Sequence, residues 1–140
     1  MRKKINNERM ADHLKNRGQT LKIEKLRYDK NSQDFTLMKG MPLIARRNKK
    51  ELNIFNNERF ICEFIRKDKI VIKNDNGDKI DININEINKL FYLGFCCTTH
   101  RAQGETIDTN YTIYEWGKMN TKLRYVALSR STDKKNINIV

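Results

Sequence analysis

At 140 residues, with 38% hydrophobic and 33% charged residues, the chain is long enough for one cored domain with a small insert and too short for two nucleotide-binding lobes. A formal net charge of +12 permits a polyanionic partner, but the Lys, Asn and Ile excess runs evenly through the chain, as in coding from an A+T-rich genome, so charge alone selects none. Apolar runs of only a few residues, and a basic start Met1-Arg2-Lys3-Lys4 with no signal-type core behind it, predict no membrane span and an intracellular, reducing setting.

The first predicted element is a helix over residues 3–16, with Ile5, Met10 and Leu14 on one stripe and Gly18 as its stop. Residues 21–28, LKIEKLRY, alternate as a strand does. After the polar stretch DKNSQDFT comes an apolar strand, Leu43-Ile44-Ala45, running into Arg46-Arg47. Between residues 59 and 84 the pattern becomes three short strands, RFICEFI, KIVIK and KIDINI, which predict a small barrel or meander. Asn76-Gly77 suits a tight hairpin with positive φ at both central positions. Asn85 is placed as the N-cap of a short helix reaching Leu90, followed by a strand over 92–97, the loop TTHRAQGET, a strand YTIYEW, a helix over 119–129 and a last strand NINIV. This closing alternation of strand and helix predicts a parallel α/β sheet, with the middle β segments as an insert.

Cys62, Cys96 and Cys97 have no zinc-type spacing, and His13 and His100 lie far apart; reduced thiols and no metal site are expected. The loop at residues 98–106 is denser in chemistry than any other stretch. His100 and Arg101 can donate to phosphate oxygens, Gly104 permits close backbone approach, and Glu105 can accept from a sugar hydroxyl. Taken singly, each of these residues fits a polar surface loop better. A second cluster, LRYVALSRS at 123–131, reads as an amphipathic helix ending in Ser129 and Arg130; as a residue in isolation, Arg130 suits a helix C-terminus electrostatically.

Together, FYLGFCCTTHRAQGETID and the YVALSRS that follows resemble motifs V and VI of superfamily 1 helicases, especially the RecD, Dda and Pif-type branch. GMPLIARRNKKELNIFNNERF, at 40–60, resembles the segment leading from the second RecA-like lobe into its SH3-like insert, and RKKINNERM the region around motif IV. Two positions depart from the family pattern. Asn56-Asn57 stands where Asn-Gly is usual, and asparagine tolerates the positive φ of such a turn; Arg101 stands where motif V usually has lysine.

The resemblance implies an α/β fold: a partial RecA-like parallel sheet with a small SH3-like β insert. Residues 1–55 and 91–140 would form the RecA-like lobe and 56–90 the insert. It implies the C-terminal lobe of an ATP-dependent DNA helicase, with single-stranded DNA as partner, RNA remaining open. Thr99, His100 and Arg101 would meet the DNA backbone, Gln103, Gly104 and Glu105 the nucleotide, and Arg130 would be the arginine finger. Arg47, like Arg46, is open to two readings, a DNA phosphate contact or plain surface. Tyr114 and Tyr125 are expected in the core rather than as stacking platforms. No segment matches G-x-x-x-x-G-K-[ST], so ATP and Mg2+ would be held mainly by an N-terminal lobe carrying Walker A and B, and the chain alone is expected to be inactive. The alternative is a stand-alone, non-catalytic nucleic-acid-binding module or a truncated helicase remnant.

Overall fold

The computed structural model describes residues 1–140, in two compact units, Arg2–Cys96 and Cys97–Val140. In the first unit, helix α1 (Arg2–His13) turns Ile5 and Met10 inward. Met10 also accepts a hydrogen bond through its sulfur from the Thr36 amide at 3.2 Å, tying the helix to strand β2 (Phe35–Met38). Strand β1 (Thr20–Ile23) pairs antiparallel with β2, and is half the length that the alternation of residues 21–28 predicts.

Five further strands form the main sheet: β3 (Pro42–Ala45), β4 (Arg59–Ile65), β5 (Lys69–Asn74), β6 (Lys79–Asn83) and β7 (Phe91–Leu93), in the order β6-β5-β4-β3-β7. Every pairing in it is antiparallel. This departs from the expected parallel sheet around Leu43–Ala45 and residues 92–97. Alternation identifies a strand but leaves its partner open, and the meander β4-β5-β6 supplies β3 with an antiparallel neighbour before any helical crossover can build a parallel one. Parallel pairing occurs between strands β8 (Tyr111–Ile113) and β9 (Ile137–Ile139) of the second unit.

The core lies against the main sheet. Leu37, Met41, Leu43, Ile54, Ile70, Ile72, Ile82, Ile87 and Phe91 are fully buried there, and Phe60 meets Phe91 edge-on at 5.7 Å between ring centroids. Helix α2 (Ile84–Leu90) follows β6 directly; Asn83, rather than the expected Asn85, is its N-cap residue, and no side chain caps it. The β5–β6 turn also differs from the two-residue form. Only Gly77 takes positive φ, at +85°, and the Asn74 side chain accepts from the amides of Asn76 and Asp78 at 3.0 and 2.9 Å, widening the loop. Asn57 does adopt positive φ, +71°, and its amide donates to the Ala45 carbonyl at 2.8 Å. Beyond Leu93 the chain stays against β3: the Gly94 amide donates to the Pro42 carbonyl at 2.8 Å, and a β-carbon at Gly94 would lie 3.1–3.2 Å from the Pro42–Leu43 backbone.

The second unit holds helix α3 (Thr99–Ala102), β8, helix α4 (Thr121–Leu128) and β9, joined by long connections. No helix of the chain is long and apolar enough to cross a membrane.

Candidate functional site

In the second unit the loop TTHRAQGET is partly helical. Thr98 is the N-cap of α3, its hydroxyl accepting from the Arg101 amide at 3.3 Å, so one orphan donor of this short turn is satisfied locally. His100 is exposed, and Thr99 and Arg101 are half-buried. After Gln103 the chain reverses at Gly104, where φ is +87° and a β-carbon would meet nothing within 4 Å. Gly104 is required by backbone conformation rather than by crowding, and it leaves Gln103 and Gly104 on an open surface.

Arg130 lies just beyond the C-cap of α4 and reaches back to this loop. Its Nη1 donates to the carbonyls of Glu105 at 3.1 Å and Ala102 at 3.4 Å, Nε donates to Val126 at 2.9 Å, and Nη2 to the Ser129 hydroxyl at 3.0 Å. The Ile107 amide donates to the Arg130 carbonyl at 2.7 Å. These bonds join residues 102–107 and 126–130 into one structure. A guanidinium suits the task because its donors diverge in a fixed fork, whereas a lysine ammonium presents one charge point. Four of the five N–H donors are engaged, leaving one for anything outside the protein.

Tyr111 supports the far side of α4, its hydroxyl donating to the Ala127 carbonyl at 2.8 Å. Burial pushes the Tyr111 phenol above its ordinary pKa, while the charge of Arg130 and a bond from the Ser131 backbone oppose the rise. Helix α4 starts at Asn120, whose side chain accepts from the Leu123 amide at 2.9 Å. Its buried side carries Ala127; Tyr125, expected in the core, is 72% exposed. Helix α4 turns Tyr125 and Leu128 outward, with Leu123 and Val126 half-buried on the same side as Ala127.

Arg47 belongs to the first unit, where it is exposed beyond β3. Its neighbour Arg46 is neither surface nor a free phosphate ligand. It pairs with Asp29, both side chains being largely buried, donates to the Asn88 carbonyl at 2.9 Å and lies 4.4 Å from the Tyr92 ring centroid. Sequence reading also passes over Asn6. This helical asparagine, 1% exposed, accepts from the Cys96 amide at 2.8 Å and donates to the Leu93 carbonyl at 3.1 Å, pinning the chain after β7. An asparagine amid polar neighbours in a helix gives no sequence signal for such a clamp.

No family model and no curated protein matches the chain. Solved structures do. Pif1 of Bacteroides bound to single-stranded DNA is similar with a TM-score of 0.73 and 19% identity, over 95% of this chain and 37% of that one. A Bacteroides Pif1 helicase in complex with ADP-AlF3 and single-stranded DNA gives a TM-score of 0.70 at 19% identity, with the same coverage. Pif1 helicase from Candida albicans gives 0.70 at 12% identity, covering 100% of this chain and 43% of that one. The chain has the fold of part of a Pif1 helicase and spans less than half the length of these proteins.

Proposed function

We propose that the chain is the second-lobe part of an ATP-dependent DNA helicase, binding single-stranded DNA and supplying Arg130 to ATP held by an N-terminal lobe with Walker A and B. The observation that carries this reading is the set of bonds from the Arg130 guanidinium to the carbonyls of Ala102 and Glu105, which makes the two helicase-like clusters one mechanical element. The likeness to Pif1 structures solved with single-stranded DNA and ADP-AlF3 supports it. In this reading, residues 1–55 and 91–140 belong to a RecA-like lobe, the β8–β9 pair is a fragment of its parallel sheet, and residues 56–90 contribute an SH3-like subdomain.

Each residue then has a defined task. Thr99, His100 and Arg101 take the DNA backbone, and Arg47 a further phosphate. Gln103, Gly104 and Glu105 face the nucleotide, where the exposed Gly104 backbone permits close approach. Phosphoryl transfer gathers negative charge on the γ-phosphoryl oxygens, and an inserted arginine is worth roughly 10³- to 10⁵-fold in rate. To reach that charge Arg130 must exchange bonds to the Ala102 and Glu105 carbonyls for phosphate oxygens. The loop carrying the DNA contacts is thereby sensitive to the nucleotide state, which couples hydrolysis to movement along DNA. Mg2+ is assigned mainly to the other lobe.

The engagement of four of the five Arg130 donors within the protein favours a second reading, a non-catalytic nucleic-acid-binding module or helicase remnant in which Arg130 only braces the loop. Mixing the chain with a Walker A lobe and measuring DNA-stimulated ATPase separates the two. For a finger, Arg130→Ala lowers turnover by about 10³-fold or more and leaves single-strand affinity unchanged. A brace loses DNA affinity along with any activity, and an unchanged rate rejects the finger. The chain by itself should show no appreciable turnover.

A further inference from the structure

The main sheet carries a basic, aromatic outer surface that a β-bulge creates. RFICEFI alternates so that Phe60, Cys62 and Phe64 would all point inward. Phe60 and Cys62 do so, but the register with β5 shifts between Cys62 and Phe64, Cys62 facing Ile72 and Phe64 facing Val71. The extra residue, Glu63, reverses the sense of the strand. Phe64 emerges on the solvent face, 43% exposed, while Ile65 returns to the core side. A bulge that turns a large aromatic ring into water forgoes burial worth roughly 1.5–3 kcal/mol, and bulges are commonly used to re-aim a side chain.

The surroundings of the ring are cationic. Lys39 Nζ lies 4.8 Å and Lys79 Nζ 5.6 Å from its centroid. In the adjacent row of the same face, Ile61 pairs with Lys73 and Lys73 with Lys79. Glu63 holds Lys73 and Lys79 at 3.5 and 3.9 Å, and Asp81 holds Lys69 at 3.5 Å, so four lysines stand against two carboxylates.

We propose that this face is a binding site for single-stranded nucleic acid, with a base stacked on Phe64 and flanking phosphates taken by Lys39, Lys73 and Lys79. The occupant follows from charge complementarity: an exposed π-face beside excess lysines is what a base-and-phosphate chain satisfies at once. The lysines over the ring have long, flexible stems; a base stacking on Phe64 displaces an ammonium towards the phosphate beside it. The site lies wholly in the first unit and does not depend on the roles of residues 99–105 or Arg130.

The test is fluorescence anisotropy of a labelled oligothymidylate of about 15 nucleotides, titrated with the full chain over a range of salt. Phe64→Ala should weaken binding roughly fivefold or more, the loss of about one stacked base. The Lys39→Ala/Lys79→Ala double variant should flatten the plot of log affinity against log salt by about 1.4, two phosphate contacts on a single strand. A Phe64→Trp variant in a Trp116→Phe background retains binding, and its emission is quenched by the oligonucleotide. Unchanged affinity and slope in these variants, with no quenching, overturns the proposal. So does loss of binding to an acidic peptide with oligonucleotide binding intact, which would assign the face to a protein partner.

Discussion

The two units are stabilised by different physics. Of the buried apolar residues, twenty lie in Arg2–Cys96 and only Ala102, Ile113 and Ala127 in Cys97–Val140, and none of those three is completely covered. The first unit is an antiparallel sheet over a dense hydrophobic core. The second is a set of short elements whose geometry rests on Arg130, Tyr111 and Asn120 hydrogen bonds. Most of the residues proposed to meet DNA and nucleotide lie in the thinly cored unit, where elements held by a few polar bonds can shift at low cost. Nearly all the burial serves the other.

Attacking the core of the first unit should produce the largest effect. Phe91→Ala removes one ring of the edge-on pair with Phe60 and should cost about 3–5 kcal/mol in urea denaturation followed by circular dichroism. A loss below about 1 kcal/mol would mean the sheet is not the stable body. Next is the Asn6 clamp. Asn6→Leu leaves the Cys96 amide and Leu93 carbonyl without their partner and should cost roughly 2–4 kcal/mol in the same experiment.

A pH titration sharpens the contrast through Cys62. Burial, with a smaller contribution from the Glu63 charge, pushes this thiol up from 9.0 to about 11. Between those values the unfolded chain has released the proton and the folded one retains it, so stability is fully present below pH 9 and falls as pH rises towards 11. The loss should reach roughly 2 kcal/mol and be absent in Cys62→Ala, so the cost of that substitution shrinks as pH rises through this window. Alkylation at neutral pH should modify the half-buried Cys96 and Cys97 well before Cys62.

Smaller effects belong to the second unit. Arg130→Ala should raise amide exchange across residues 102–107 by roughly tenfold, with little change in global unfolding, because it removes two loop bonds worth about 0.5–1.5 kcal/mol each. Gly104→Ala, forced to a φ of +87°, should cost about 1 kcal/mol, again confined to that loop. Global destabilisation by either change would contradict the division into a cored and a braced unit.

Several elements were legible because local patterns decide them. Strands β4, β5 and β6 fall where alternation and turn residues place them, and α4 follows the spacing of Leu123, Val126 and Ala127. Asn57 takes the left-handed conformation that its residue type tolerates. Strand direction was not legible: Leu43–Ala45 looks the same in a parallel or an antiparallel neighbourhood. Nor were Arg46 as a buried ion pair, Tyr125 as an exposed ring or Phe64 on the outer face, since each depends on a partner distant in sequence or on one extra residue in a ladder.

The sequence by itself determined which functional groups stand at residues 98–106 and 123–131, the strand-rich middle and the conformational freedom at Gly104. Residue type and local spacing suffice for those. Tertiary structure decided that β3 and β7 join one antiparallel sheet, that Asn6 holds the chain after β7, and that the Arg130 guanidinium closes on the carbonyls of Ala102 and Glu105. Backbone carbonyls and amides are present at every residue and carry no signature in sequence. Only the fold selects which of them a side chain twenty-five or ninety positions away will meet.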